Sequence, residues 1–242
     1  MRRVAGELCR WMGAFTLMLL VARVSAAETS TNASIKDLGE GRLQIGSVTV
    51  DSKQKSLTFP ALVNMTTGLV EYLVVTTGGK VHESLLRTDA EPFHLHTAML
   101  LLGLKQSTNA ETTAFFDAKK QIPGAAISID VTIPFPDAGK YPIQNFVAYA
   151  ESKRPVTIED IPRWIYNGSR FAEALRKSDD SRSERIFLAQ KEGSIVSLIA
   201  DPAALVNNPR PDRENDELWM LHSPKIPPVG TPVQVTFRLL PQ

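Results

Sequence analysis

A chain of 242 residues, 43% hydrophobic and 22% charged, has room for one large or two small domains and an ordinary globular balance, so composition gives no reason for disorder. Its formal net charge is +1 and its single cysteine is Cys9. A nucleic-acid footprint needs a basic excess and a disulfide framework needs paired cysteines, so neither is expected.

Residues 1–26 read as a secretory signal. Arg2, Arg3 and Arg10 charge its start, residues 14–22 form an apolar core too short to span a bilayer, and Val24, Ser25 and Ala26 prepare a cut. The alternative is an uncleaved N-terminal anchor. Cleavage removes four of the 27 basic residues and one of the 26 acidic ones, leaving 23 and 25, about −2 net. It also removes Cys9. The exported protein, periplasmic or secreted, then has no membrane span, no cysteine nucleophile and no cysteine-ligated iron–sulfur cluster.

Residues 27–41 are polar and small and read as a flexible leader. A single β-rich domain is expected over residues 42–242. Residues 42–50 alternate, with a slip at Gly46-Ser47 that marks a bulge or tight bend. Residues 56–59 return as a second strand stopped by Pro60. Residues 69–76 are rich in Val, Tyr and Thr and read as a strand. Gly78-Gly79 then allows a turn with positive φ, and residues 81–86 come back extended. In that geometry His82 and Ser84 share one face and Glu83 takes the other. Thr88 and Glu91 have capping-box spacing ahead of a helix over residues 92–104. That helix is apolar nearly all round, which predicts burial on most sides, with Gly103 as its terminator. Helical periodicity places His94 and His96 about 200° apart.

Residues 112–120 are loop or short helix. Residues 125–133 alternate cleanly until Pro134, and residues 144–150 are another strand candidate. Residues 164–171 read as a strand bearing an Asn-Gly turn. Residues 172–184 look mobile. Residues 185–190 and 194–200 read as strands around a turn, residues 201–205 as one helical turn capped by Asp201, and residues 233–240 as the last strand. No repeat and no alternation of strand with helix appears. The fold class is mainly β (α+β): an antiparallel-rich sheet or sandwich with one buried apolar helix packed on it.

His82-Glu83 is the sharpest chemical pair, the residue types of a zinc or copper site or of an acid–base pair. The second histidine of a His-Glu-x-x-His pattern is missing. Gly168-Ser169 and Gly193-Ser194 lack a nucleophile elbow. Gly78-Gly79-Lys80 lacks the first glycine of a phosphate loop. Asn64 and Asn167 head sequons that read as chance matches. Asp201, Asp212, Asp216 and Glu217 match no calcium loop.

At residues 79–86 (GKVHESLL) the chain resembles the YdjY-type domain family of bacterial exported proteins. Val70-Glu71-Tyr72 before it, and His96 with the run at residues 98–103 after it, support the resemblance, as does the opening strand ending Phe59-Pro60-Ala61. The family implies export and a compact β-rich domain, and no established activity. Some members carry a ferredoxin-like label, which a mature chain without cysteine cannot follow. Lys80, His82, Glu83, Ser84 and His96 are the positions carried over as a functional cluster, with His82 and His96 as ligands of a divalent metal. The leading expectation is a non-enzymatic exported domain that binds a ligand or an envelope partner, with a cation held by His82 and either Glu83 or His96 as one form of it. The alternatives are a metal-assisted hydrolase, using His82 or Glu83 as general base, and a purely structural envelope protein.

Overall fold

The structure, a computed structural model, describes residues 34–106, 109–134, 138–175 and 183–241. The signal expected at residues 1–26 and the start of the expected leader lie outside the described residues. From β1 onward the described residues belong to one compact unit.

The strands follow as β1 (Ile35–Gly39), β2 (Arg42–Ile45), β3 (Val48–Asp51), β4 (Ser56–Val63), β5 (Gly68–Leu69), β6 (Tyr72–Thr76) and β7 (Ser84–Thr88). Helix α1 (Pro92–Leu101) comes next. After it come β8 (Ala125–Ile133), β9 (Gly139–Pro142), β10 (Val147–Tyr149), β11 (Trp164–Tyr166), β12 (Phe171–Leu175) and β13 (Ser183–Phe187). A short α2 (Leu188–Glu192) precedes β14 (Ser194–Ser197), β15 (Val206–Asn207), β16 (Trp219–Leu221) and β17 (Pro232–Leu239). β1 lies in the stretch expected as leader. It pairs with β2 and is exposed along its length.

Mainly β holds, but the sheet is not a sandwich. Strands β4, β17, β8, β11, β15, β14, β6 and β7 pair in that order, and β7 pairs back onto β4, closing an eight-stranded barrel. Closure satisfies the two edges an open sheet would expose. β4 makes it possible by dividing one edge between two partners. Residues Ser56, Leu57 and Thr58 pair with β3, and Leu62 and Val63 with β7. Pro60 sits at the switch. Its carbonyl accepts from Thr88 Oγ1 at 2.6 Å, so its missing N–H faces the junction where β3 has ended and β7 has only begun. The proline expected to stop the strand is therefore carried inside it.

The interior is filled by the alternating residues that the sequence shows. Leu57, Phe59, Ala61 and Val63 of β4, Val233, Val235 and Phe237 of β17, and Ile127, Ile129, Val131 and Ile133 of β8 are all buried. Phe59 meets Phe237 edge to face at 5.3 Å between centroids. Polar partners take the outer face, where Thr58 and Thr236 hydroxyls lie 3.0 Å apart. Side chains fill a barrel of this strand number. A second sheet, β10–β16–β5, and the hairpin β12–β13 complete the strands. Of the segment expected to be mobile at residues 172–184, residues 172–175 and 183–184 are paired strand instead, and residues 176–182 lie outside the described residues. The strand expected over 185–190 ends at Phe187, and α2 follows, closed by Gly193 with φ +73°.

Helix α1 packs on β3 and β4. Pro92 opens it and Gly103, φ +95°, follows its end. The capping box is absent: Glu91 is the N-cap and makes no side-chain cap bond, because Thr88 is already bonded to Pro60 and Ala90 as the end of β7. The helix is less enclosed than its composition suggests, with Leu100 and Leu101 exposed. Gly46, in the bend between β2 and β3, has φ +57°, and a Cβ there would stand 2.5 Å from the ring Nδ1 of His94. Gly46→Ala combines left-handed strain with that overlap and should cost about 2–3 kcal/mol in urea unfolding. Adding His94→Ala should return part of the loss. A Gly46→Ala variant as stable as the parent would show that the bend and the helix are not in contact.

Candidate functional site

The site forms where β6 turns into β7. These strands are parallel, with Tyr72 beside Ser84 and Thr76 beside Thr88. The expected hairpin at Gly78-Gly79 is therefore a crossover that doubles back along the strand just left. Neither glycine has positive φ. Gly79 is required by a close approach instead, since a Cβ there would stand 3.0 Å from the Gly193 carbonyl.

Hydrogen bonds pin the crossover along its length. Gly79 N–H donates to Thr76 O at 2.9 Å, Thr77 N–H to Thr88 O at 3.0 Å, and Glu71 N–H to Glu83 O at 3.1 Å. The side-chain amide of Asn64 donates to both Val81 O and Ser84 O. Ser84 is buried and its hydroxyl donates to Lys80 O. Its Oγ is thus committed to the backbone.

A 3-10 turn over Val81–Glu83 replaces the extended segment, and this changes the His82–Glu83 relation. The two side chains, expected on opposite faces, approach to 3.5 Å between Nε2 and Oε2. His82 is 77% exposed at its side chain and Glu83 21%. Lys80 donates to the phenol of Tyr72 and lies over its ring at 4.6 Å. The phenol of Tyr72 donates in turn to Asp201 Oδ2 at 3.1 Å. Burial, and then the Asp201 charge, push that phenol far above its ordinary range, so it stays a donor. Asp201 Oδ1 accepts from Ala203 N–H, and Asp201 N–H donates to Asn207 Oδ1 at 2.9 Å. Asn207 donates onward to Asn167 at 2.9 Å. A buried polar chain therefore runs from Lys80 inward.

Glu71 completes the rim. Burial and the neighbouring Glu83 charge raise its pKa, while Lys80 opposes the shift. Sequence reasoning missed Glu71, Tyr72 and Asn64 as members, and read Asp201 as the cap of a helical turn without its bond to Tyr72. Asp212 pairs with Arg210. No local signal marks these residues, because parallel pairing and the approach of Asp201 are tertiary.

The structure gathers Lys80, His82, Glu83 and Ser84 but places His96 elsewhere. His96 is buried in α1, 2.7 Å from the Tyr166 phenol through Nδ1 and 5.0 Å from the Phe187 ring. Burial lowers its pKa to about 4. It is neutral at pH 7 and shares that hydrogen bond with Tyr166, whose own pKa burial raises. His82 stands in solvent, so the two histidines share no partner among the described residues. His94 is buried over Gly46 with Nε2 3.7 Å from Glu91, and His222 is exposed. Among the described residues no three His, Cys, Asp or Glu side chains gather in a metal-holding group, and no helix is long and apolar enough to cross a membrane. The sequon asparagines Asn64 and Asn167 are both internal bonding residues.

The family model described as YdjY domain matches residues 48–238. No curated protein and no solved structure matches the chain.

Two pH effects follow. His96 has a folded pKa near 4, below the unfolded value of 6.5, so its contribution is present above pH 6.5 and lost as pH falls toward 4. Comparing wild type with His96→Phe across that window should isolate a loss of up to about 3 kcal/mol. Glu71 has the opposite sign: its raised folded pKa means the ionised form costs stability at pH 7. Glu71→Gln should therefore raise the melting temperature at pH 7, with the gain fading as pH falls through the carboxylate range. A less stable Glu71→Gln protein at pH 7 would contradict the assignment.

Proposed function

The chain belongs to the YdjY domain family, and on that footing we propose that it is an exported, non-enzymatic domain that binds a ligand or envelope partner through the crossover rim at residues 80–83. The observation that carries this reading is His82. Its imidazole is held out to solvent on a loop pinned by backbone bonds, Asn64 and the Lys80–Tyr72–Asp201 chain. Rigid, exposed polar groups bind with little ordering cost. The neighbouring Glu71 supports the same reading, because a charged group kept at a cost to stability is characteristic of functional surfaces.

A cation resting on His82 and Glu83 would have two protein ligands and water for the rest, an open and weak site. A hydrolase needs a cleft converging on His82 or Glu83, whereas the binding reading needs only this exposed rim. A purely structural role calls for a buried, bonded His82, and its exposure weighs against that. Export rests on the signal at residues 1–26, with a periplasmic or secreted location.

Photo-crosslinking in the producing cell tests the rim. A crosslinker at position 82 should capture a discrete envelope component, and one at the exposed outer-face position 234 should not. Equal capture from both positions, or none from position 82, would count against the rim. Metal content of untagged protein tests the cation forms separately. Near-stoichiometric zinc or copper abolished by both His82→Ala and His96→Ala would overturn the proposal in favour of a shared metal centre.

A further inference from the structure

Asn167-Gly168, directly after β11, is the one Asn-Gly pair in the sequence. A glycine after asparagine leaves its backbone nitrogen unhindered by any Cβ, so in a free chain that nitrogen reaches the asparagine side-chain amide carbon readily. In the structure this turn is not at the surface: Asn167, Gly168 and Ser169 are all buried. The groups that would react are committed elsewhere. Gly168 N–H donates to Leu205 O at 3.1 Å. The Asn167 amide donates to Ala204 O at 3.0 Å, and its Oδ1 accepts from Asn207 at 2.9 Å. The carbonyls of Gly168 and Ser169 each accept from Gln106 Nε2 at 3.1 Å, and Ser169 Oγ donates to Ala203 O at 2.6 Å. The Gly168 nitrogen cannot lose its proton and swing onto the amide carbon without several of these bonds breaking together.

The native turn needs both residues of the pair. Gly168 has φ +79°, and a Cβ there would stand 3.2 Å from Gln106 Cγ and from the Tyr166 phenol oxygen. Asn167 is used as donor and acceptor at once, which a carboxylate cannot be. An aspartate at 167 would set a carboxylate against Ala204 O in a place sealed from water. An isoaspartate would lengthen the main chain by a methylene and draw Gly168 N–H away from Leu205 O.

We propose that Asn167-Gly168 is a self-modification site, closed in the native protein and opened by unfolding, so that a chain left unfolded is marked and barred from refolding. The Gly168 nitrogen gives its proton to solvent base and forms a bond to the Asn167 amide carbon. The bond from that carbon to Nδ2 breaks and ammonia leaves. Water then opens the resulting succinimide at one carbonyl or the other, giving aspartate or isoaspartate. No enzyme and no oxidant is needed. Operational stability then depends on how long the chain stays unfolded as well as on the folding equilibrium. This inference does not rest on the rim reading, and His82→Ala should leave it unchanged.

The purified protein is held in mildly alkaline buffer, native in one sample and unfolded by guanidinium chloride in another. Trypsin releases residues 164–170 as one peptide, cut after Arg163 and Arg170, and its mass and fragmentation report amide, acid and isoaspartate. The unfolded sample should convert at least about tenfold faster, because the native site reacts only through its open fraction. After dilution from denaturant the refolded fraction should carry the unconverted amide, and the yield should fall in step with conversion. The same hold in mildly acidic denaturant, where the Gly168 nitrogen rarely loses its proton, should preserve the yield. Equal conversion in native and unfolded samples would overturn the proposal, as would no conversion in either. Converted chains that refold as well as unconverted ones, or a yield lost equally in acid, would overturn it too.

Discussion

Everything distinctive in this molecule depends on the pairing of Leu62 and Val63 with Arg87 and Leu86. Without it the chain has a twisted open sheet with β7 and the second half of β4 as exposed edges, a standing risk of edge-to-edge association. With it the sheet must close, and its interior must be filled from eight strands at once. Closure also fixes the direction of β7. To meet β4 antiparallel and β6 on its other side, β7 has to run parallel to β6. A parallel neighbour joined by so few residues leaves no space for the usual helical crossover. The chain folds instead into a tight loop with one 3-10 turn, and the polar residues of that loop end up together on the rim.

The crossover is held by polar groups, which makes it stiff and also demanding. Asn64, Tyr72, Asp201, Asn207 and Asn167 are bonded to one another or to backbone, and removing one leaves a buried donor or acceptor unpaired. The same arrangement forces Glu71 beside Glu83, which raises the energy of the ionised pair. Lys80 offsets part of that cost from one side and is itself fixed by Tyr72. Stability and exposure are thus set against each other at one place. The inward faces of β4, β8 and β17 have no such conflict, because their buried side chains are hydrocarbon.

The histidines show how little a residue type says without its surroundings. His82 and His96 are both candidate ligands in the sequence. One stands in water beside a carboxylate, and the other is enclosed among Phe93, Phe187 and Tyr166 with its proton affinity lowered by burial. His94 differs again, packed over a glycine that has no side chain because the imidazole occupies its place. Burial and bonding partners, fixed by which strands pair, separate three chemistries within fifteen residues of the chain.

The sequence by itself determined the β class, the one apolar helix with its terminating glycine, and the inward faces of β4, β8 and β17. Each of these is local: alternation of period two, a run of helix formers, a glycine able to adopt positive φ. It also gathered Lys80, His82, Glu83 and Ser84, because they are neighbours in the chain. Only the tertiary structure decided that the sheet closes, that β6 and β7 run parallel, and that His82 and Glu83 converge while His96 goes elsewhere. It alone brought Asp201 to Tyr72 across 129 residues. Alternation fixes which face of a strand is buried but carries no record of the strand it will pair with. Strand order, and with it the composition of the rim, follows from closing one sheet around one core.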